Sequence, residues 1–245
     1  MVSKRANTIF TAALSVPLGW MLGCCVETAL VYDAHLSRKP EVEALITADL
    51  PLRVHEVEQF WGQKYDIEPV LRFELTDAER TNAGLGMLAL GLHRYGENDL
   101  YISSGVVASE EDSLVEKIEL WFIDGLSPKT TVQHELTHVL VSQISYEKNC
   151  TIDMSERKNH VIQEGIATYA EIGLGSQERD IDCTAPRPTD IEKFHDYTDG
   201  YCFVKPILDQ DRVRGLTYLL CDPPWVIDVL NPVEYYARFK DGTKR

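Results

Sequence analysis

The sequence predicts an α+β fold, with a small mixed sheet and helices in the N-terminal part and a mostly helical C-terminal half. Three observations carry this. Two short segments, Val70-Leu71-Arg72-Phe73-Glu74-Leu75 and Asp99-Leu100-Tyr101-Ile102-Ser103, have the apolar patterning of strands. From Ser127 onward the apolar spacing turns helical. The composition, 44% hydrophobic and 26% charged over 245 residues, is that of a globular chain long enough to bury a core without staples. With 15 glycines and 11 prolines, scattered and without a fixed period, fibrous, low-complexity and solenoid architectures are excluded.

The first segment stands apart from the fold. Lys4 and Arg5 precede an apolar run from Ile9 to Cys25 with no acid before Glu27, the layout of an export signal. Pro17 and Gly19 weaken the run as a helix, and it is short for a membrane span. Leu22-Gly23-Cys24 resembles a bacterial lipobox, which implies a lipoprotein signal over residues 1–24, with residues 1–23 removed and Cys24 lipidated, Cys25 being the alternate. Residues 26–245 are then expected as one domain.

The elements follow in order. Val42, Leu45, Ile46, Leu50, Val54, Val57 and Trp61 recur at roughly helical spacing, with Pro51 predicting a break or kink. The two strand segments come next, and Gly84–Gly96 between them reads as loop with a short buried stretch. Glu110-Glu111-Asp112 is read as a solvated helix start. Ser127-Pro128, a capping hydroxyl before proline, opens a helix expected to run to about Gln143. A second helix is expected over Asn159–Ile172, closed by Gly173 and Gly175, and helix again from Thr189.

The first of these C-terminal helices carries His134-Glu135-Leu136-Thr137-His138, an HExxH motif. Residues four apart on a helix differ by about 40° around the axis, so both imidazoles can face one metal ion. Glu135 lies to one side, able to reach a water beside that ion. Chance places about 0.02 such motifs in a chain with seven histidines. On a helical wheel Val132, Leu136 and Leu140 form the core stripe, and the two histidines lie opposite it.

A catalytic metal takes a third protein ligand. The metzincin spacing is excluded, because Val141 and Ile144 stand where it requires Gly and His. Glu147 is too close on the same helix, and Glu156 sits at a helix edge. Glu164 fits best: 26 residues after His138, it leaves room to end one helix and bring a second alongside, with small Gly165 and Ala167 allowing close approach. Glu171, two turns further on the same face, is placed to support a ligand imidazole. His35, His55, His93 and His160 show no ligand spacing and read as surface or core residues.

His134-Glu-Leu-Thr-His138 followed by Gln163-Glu164-Gly165-x-Ala167-x-Tyr169-x-Glu171 resembles the gluzincin metallopeptidases, in particular bacterial peptidase-MA-like domains. The resemblance is strong over residues 127–175 and weak over 95–126 and 189–240. It implies a zincin-like fold, Zn²⁺ held by His134, His138 and Glu164, and Glu135 as general base and then proton donor in hydrolysing a peptide or protein substrate. In the same family a tyrosine polarises the carbonyl; Tyr197 matches, with Tyr201 and His195 as alternates. Pro206 departs from the pattern by interrupting the expected helix, and the GAMEN-like strand of aminopeptidase-N relatives is absent. Asp99–Ser103 is expected as an edge strand lining a peptide cleft.

Charge and cysteines set the surroundings. The formal charge of −15 argues against a nucleic-acid groove and against a polybasic membrane patch, so membrane contact would come only through a lipid or N-terminal anchor. Beyond Cys24 and Cys25, the four cysteines Cys150, Cys183, Cys202 and Cys221 allow three pairings and point to an extracytoplasmic, cell-envelope location. Two other functions are compatible with the motif: a non-catalytic envelope lipoprotein that keeps fold and metal as a binding module, and a hydrolase of non-peptide amides or esters.

Overall fold

The computed structural model describes residues 40, 43–73, 91–93, 98–102, 128–150, 152–153, 156–175 and 181–242. The signal segment with Cys24 and Cys25, the run Glu110–Asp112 and Ser127 lie outside the described residues. The described part is mostly helical with one small mixed sheet, an α+β arrangement.

Helix α1 covers residues 43–61. Ile46, Val57 and Trp61 are buried, and Leu50 and Val54 pack against the core between them, so one face at spacings of three and four carries the helix inward. Leu45, expected in the same stripe, is exposed. The helix also continues through Pro51 rather than ending there. Pro51 is itself exposed, and the helix is anchored on both sides of it, by Ile46 before and by Val57 and Trp61 after. That burial outweighs the one backbone hydrogen bond a proline removes.

Three strands follow: β1 (Val70–Phe73), β2 (Gly91–His93) and β3 (Asp99–Ile102), in the order β1-β3-β2. β1 runs parallel to β3 with Val70 opposite Asp99, and β2 runs antiparallel to it with Gly91 opposite Ile102. Two expectations are corrected here. The stretch between the first two strand segments contains a strand, β2, too short for its period to be read from sequence. β3 is the central strand, not an edge, and its consecutive buried Leu100, Tyr101 and Ile102 are what a strand covered on both faces requires.

Helix α2 (Pro128–Glu147) packs against this sheet, and against α3 (Arg157–Gly173) and α5 (Arg212–Cys221) elsewhere on its surface. It is buried almost all round, so its histidines do not lie on an open face opposite Leu136. Several of its buried polar groups find partners there. Gln133 Nε2 donates to Glu56 Oε2 at 2.6 Å, Thr137 Oγ1 to the Gln133 carbonyl at 2.9 Å, and Ser145 Oγ to the Val141 carbonyl at 2.8 Å.

The chain then forms a 3₁₀ turn (Ile191–Lys193), α4 (Asp196–Leu208), α5, α6 (Val226–Leu230) and α7 (Val233–Asp241). Asp190 and Asp211 cap the 3₁₀ turn and α5 by accepting from the Glu192 and Arg214 backbone N–H groups. α4 runs through Pro206, which the sequence predicted as an interruption. The carbonyl that Pro206 cannot serve belongs to Cys202, and Arg187 Nη2 donates to it at 3.2 Å; Tyr236 Oη donates to the neighbouring Phe203 carbonyl at 2.8 Å. Side chains from outside the helix thus replace the backbone donor.

Two disulfides select one of the three pairings, Cys150–Cys221 and Cys183–Cys202. The first ties the end of α2 to the end of α5, and the second ties the segment before the 3₁₀ turn to α4. Such bonds point to an oxidising, extracytoplasmic environment. Among the described residues no helix is long and apolar enough to cross a membrane.

Candidate metal centre

His134 and His138 lie in the middle of α2, one turn apart, where the burial that surrounds the helix holds both rings. Their Nε2 atoms are 2.9 Å from each other. α3 supplies the third group: Glu164 Oε2 is 3.1 Å from His134 Nε2, and Glu164 Oε1 is 3.7 Å from His138 Nε2. One nitrogen from each histidine and one carboxylate oxygen fall within 4.8 Å of one another. These three side chains could hold a metal ion, and two nitrogens with one oxygen are a donor set that suits zinc and other borderline divalent ions.

The donors are oriented from behind. Glu171 Oε1 lies 2.8 Å from His134 Nδ1, and Glu171 is buried. A carboxylate only accepts, so Nδ1 carries the hydrogen, which leaves Nε2 turned toward His138 and Glu164. Burial opposes a charge on His134, but the Glu171 and Glu164 carboxylates outweigh it and raise the imidazole well above its usual range. Burial likewise opposes ionisation of Glu164, and the two histidines overcome it and hold the carboxyl well below the ordinary carboxylate range. Glu135 is buried next to the pair; desolvation raises its carboxyl, with His134 and His138 acting against that rise.

Gly165 also brings α3 against a further helix, pressing on Gly200 of α4. A Cβ at Gly165 would stand 2.3 Å from the Gly200 carbonyl carbon, and one at Gly200 would stand 2.2 Å from the Val161 carbonyl oxygen. Those contacts are backbone to backbone, and they bring the first turn of α4 over the Glu164 end of the cluster.

Of the three candidates for a carbonyl-polarising group, Tyr197 is the one this crossing sets beside the histidines, its ring centroid 5.9 Å from that of His134. It is 49% exposed. The charge of Glu164, then burial, pushes its hydroxyl well above the usual tyrosine range, which keeps it a hydrogen-bond donor. Tyr201 is buried and faces Tyr169, ring centroids 6.2 Å apart. His195 is exposed at the N-cap of α4, its backbone N–H donating to Asp199 Oδ2 at 2.7 Å.

One residue near the cluster is expected from the sequence to be a surface or core residue. His160 Nε2 is 3.8 Å from Glu164 Oε1, and His160 Nδ1 is 3.4 Å from Asp196 Oδ2. Its position four residues before Glu164, on the same helical face, is the clue that spacing offers.

Comparison of the chain with family models, with curated proteins and with solved structures returned no match.

The Glu171 contact has a measurable consequence. Glu171→Ala leaves a buried Nδ1–H unpaired and frees the His134 ring, so zinc affinity measured by competition with a chromophoric chelator should fall about 10- to 100-fold. An unchanged affinity would show that Glu171 does not orient the ligand.

Proposed function

We propose that the protein is a zinc-dependent hydrolase of the gluzincin type, acting on peptide bonds. The observation that carries this reading is the convergence of His134, His138 and Glu164 with a carboxylate, Glu135, adjacent in sequence and buried beside them. A site that only bridged structure would have no use for that extra acid. Zn²⁺ at such a site supplies Lewis acidity toward a carbonyl and makes water easier to deprotonate.

The chain's own groups complete the reaction. Glu135 takes the proton of the attacking water and passes it to the leaving amine nitrogen. Glu171 holds His134 in the tautomer whose Nε2 faces the cluster. The Tyr197 hydroxyl donates to the carbonyl oxygen as negative charge develops on it. No covalent nucleophile is needed, and the four cysteines of the described residues are tied in disulfides. The resemblance of the HExxH and EGxAxYxE phrases supports peptides over other amides or esters as the substrate class.

A peptide library incubated with the protein tests this directly. Mass spectrometry should detect new termini, lost after treatment with a chelator and restored by added Zn²⁺. A library left uncut by zinc-loaded protein would contradict the peptidase reading.

A further inference from the structure

His160 stands apart from the buried ligands in two ways. Its side chain is 46% exposed, whereas those of His134, His138 and Glu164 are 14% exposed or less. It is also aligned by a chain of polar partners rather than by packing. Its Nδ1 is buried and faces Asp196 Oδ2 at 3.4 Å, and Asp196 is held in turn by an ion pair with Arg157. Arg157 is itself fixed, its Nη2 donating to the Phe194 carbonyl at 2.7 Å. The His160–Asp196 contact is electrostatic, without hydrogen-bond geometry; a carboxylate facing Nδ1 favours the hydrogen on that nitrogen and leaves Nε2 as the ring's other polar atom. That atom lies 3.8 Å from Glu164 Oε1, too far for a hydrogen bond and close enough to border whatever the Glu164 carboxylate faces. With Nδ1 buried, the exposure belongs to the rest of the side chain.

We propose that His160 is a substrate-contacting residue of this site, positioned by Asp196 and Arg157 to hydrogen-bond a backbone amide of the bound peptide next to the reacting bond. The proposal rests on the peptidase reading for the identity of the substrate. In its neutral form Nε2 accepts from a peptide N–H; when protonated it donates to a peptide carbonyl. The Asp196–Arg157 pair fixes the ring on α3 and α4 together, so the contact depends on the same helix crossing that places Tyr197. His160 touches no donor atom of the cluster at hydrogen-bond distance, so its removal should leave the metal in place.

The test uses the full chain loaded with Zn²⁺ or Co²⁺, as wild type, His160→Ala, His160→Gln and Asp196→Asn. Metal content is read by mass spectrometry, cleavage as kcat/KM on a peptide cut by the wild type, and ligand binding from the Co²⁺ absorption spectrum during titration with a dipeptide hydroxamate. His160→Ala should keep full metal content, lose about tenfold or more in kcat/KM, and bind the peptidyl hydroxamate about tenfold more weakly, while acetohydroxamate, which has no peptide backbone, binds as before. His160→Gln, which retains a side-chain hydrogen-bonding group, should recover part of the loss, and Asp196→Asn should show a smaller one. Unchanged peptidyl-hydroxamate affinity in His160→Ala would overturn the proposal, as would loss of metal or equal weakening of both hydroxamates, since His160 would then act on the metal site itself. If the wild type binds metal but cuts no peptide, the peptidase reading fails, and the two hydroxamates still decide whether His160 meets a peptide backbone.

Discussion

Glu135→Gln should leave the metal bound and reduce turnover about 1,000-fold or more. The amide has the shape of the carboxylate but cannot take a proton from water, so the substitution removes the base and little else. The two histidines and Glu164 keep their positions, because Glu135 is not one of the three donors that converge. Burial already raises the Glu135 carboxyl, so a neutral side chain there costs the fold little. Metal content by mass spectrometry and cleavage of a library-derived peptide, measured on one preparation, separate the possibilities. Turnover near the wild-type rate would remove Glu135 from the mechanism, and loss of metal would make it part of the binding site.

The second large effect concerns stability. Gly200→Ala should destabilise the protein by about 3 kcal/mol, seen as a lower urea midpoint. Alanine gains about 1 kcal/mol of helix propensity over glycine, which favours the substitution. The added methyl, however, would stand 2.2 Å from the Val161 carbonyl oxygen and 3.0 Å from Gly165 Cα, and backbone cannot swing aside as a side chain can. α3 and α4 must move apart, and the clash outweighs the propensity. Because α3 carries Glu164 and α4 carries Tyr197, the variant should also bind zinc more weakly than the wild type. A stability loss below about 1 kcal/mol would mean that the crossing is looser than these distances indicate.

What could be read from the sequence was local. HExxH needs only the turn of one helix, and Glu171 lies on the face of Glu164 by its spacing alone; the structure sets it 2.8 Å from His134 Nδ1. Glu164 required a guess about chain length between helices, and the four cysteines could be counted but not paired. What failed depended on distant partners. The wheel gave α2 one apolar stripe, because Gln133 looks solvent-facing until Glu56, on α1, is seen to receive it. Pro206 reads as a break until Arg187 and Tyr236 are seen at the carbonyls beside it. The continuous apolar run in β3 could have signalled a central strand, but β2, its second neighbour in the sheet, is three residues long and has no readable period. His160 has no readable role in the sequence because its partner Asp196 belongs to another helix, 36 residues on.

The zinc content of the full chain, purified without chelators, alongside Glu164→Ala, tests the central claim most directly. About one zinc per chain in the wild type, with affinity reduced about 100-fold or more in Glu164→Ala, is the result expected from donor atoms that lie within 4.8 Å of one another. A wild-type protein that carries no metal and takes up none from added zinc would contradict it, and the paired histidines would then be a buried polar cluster without an ion.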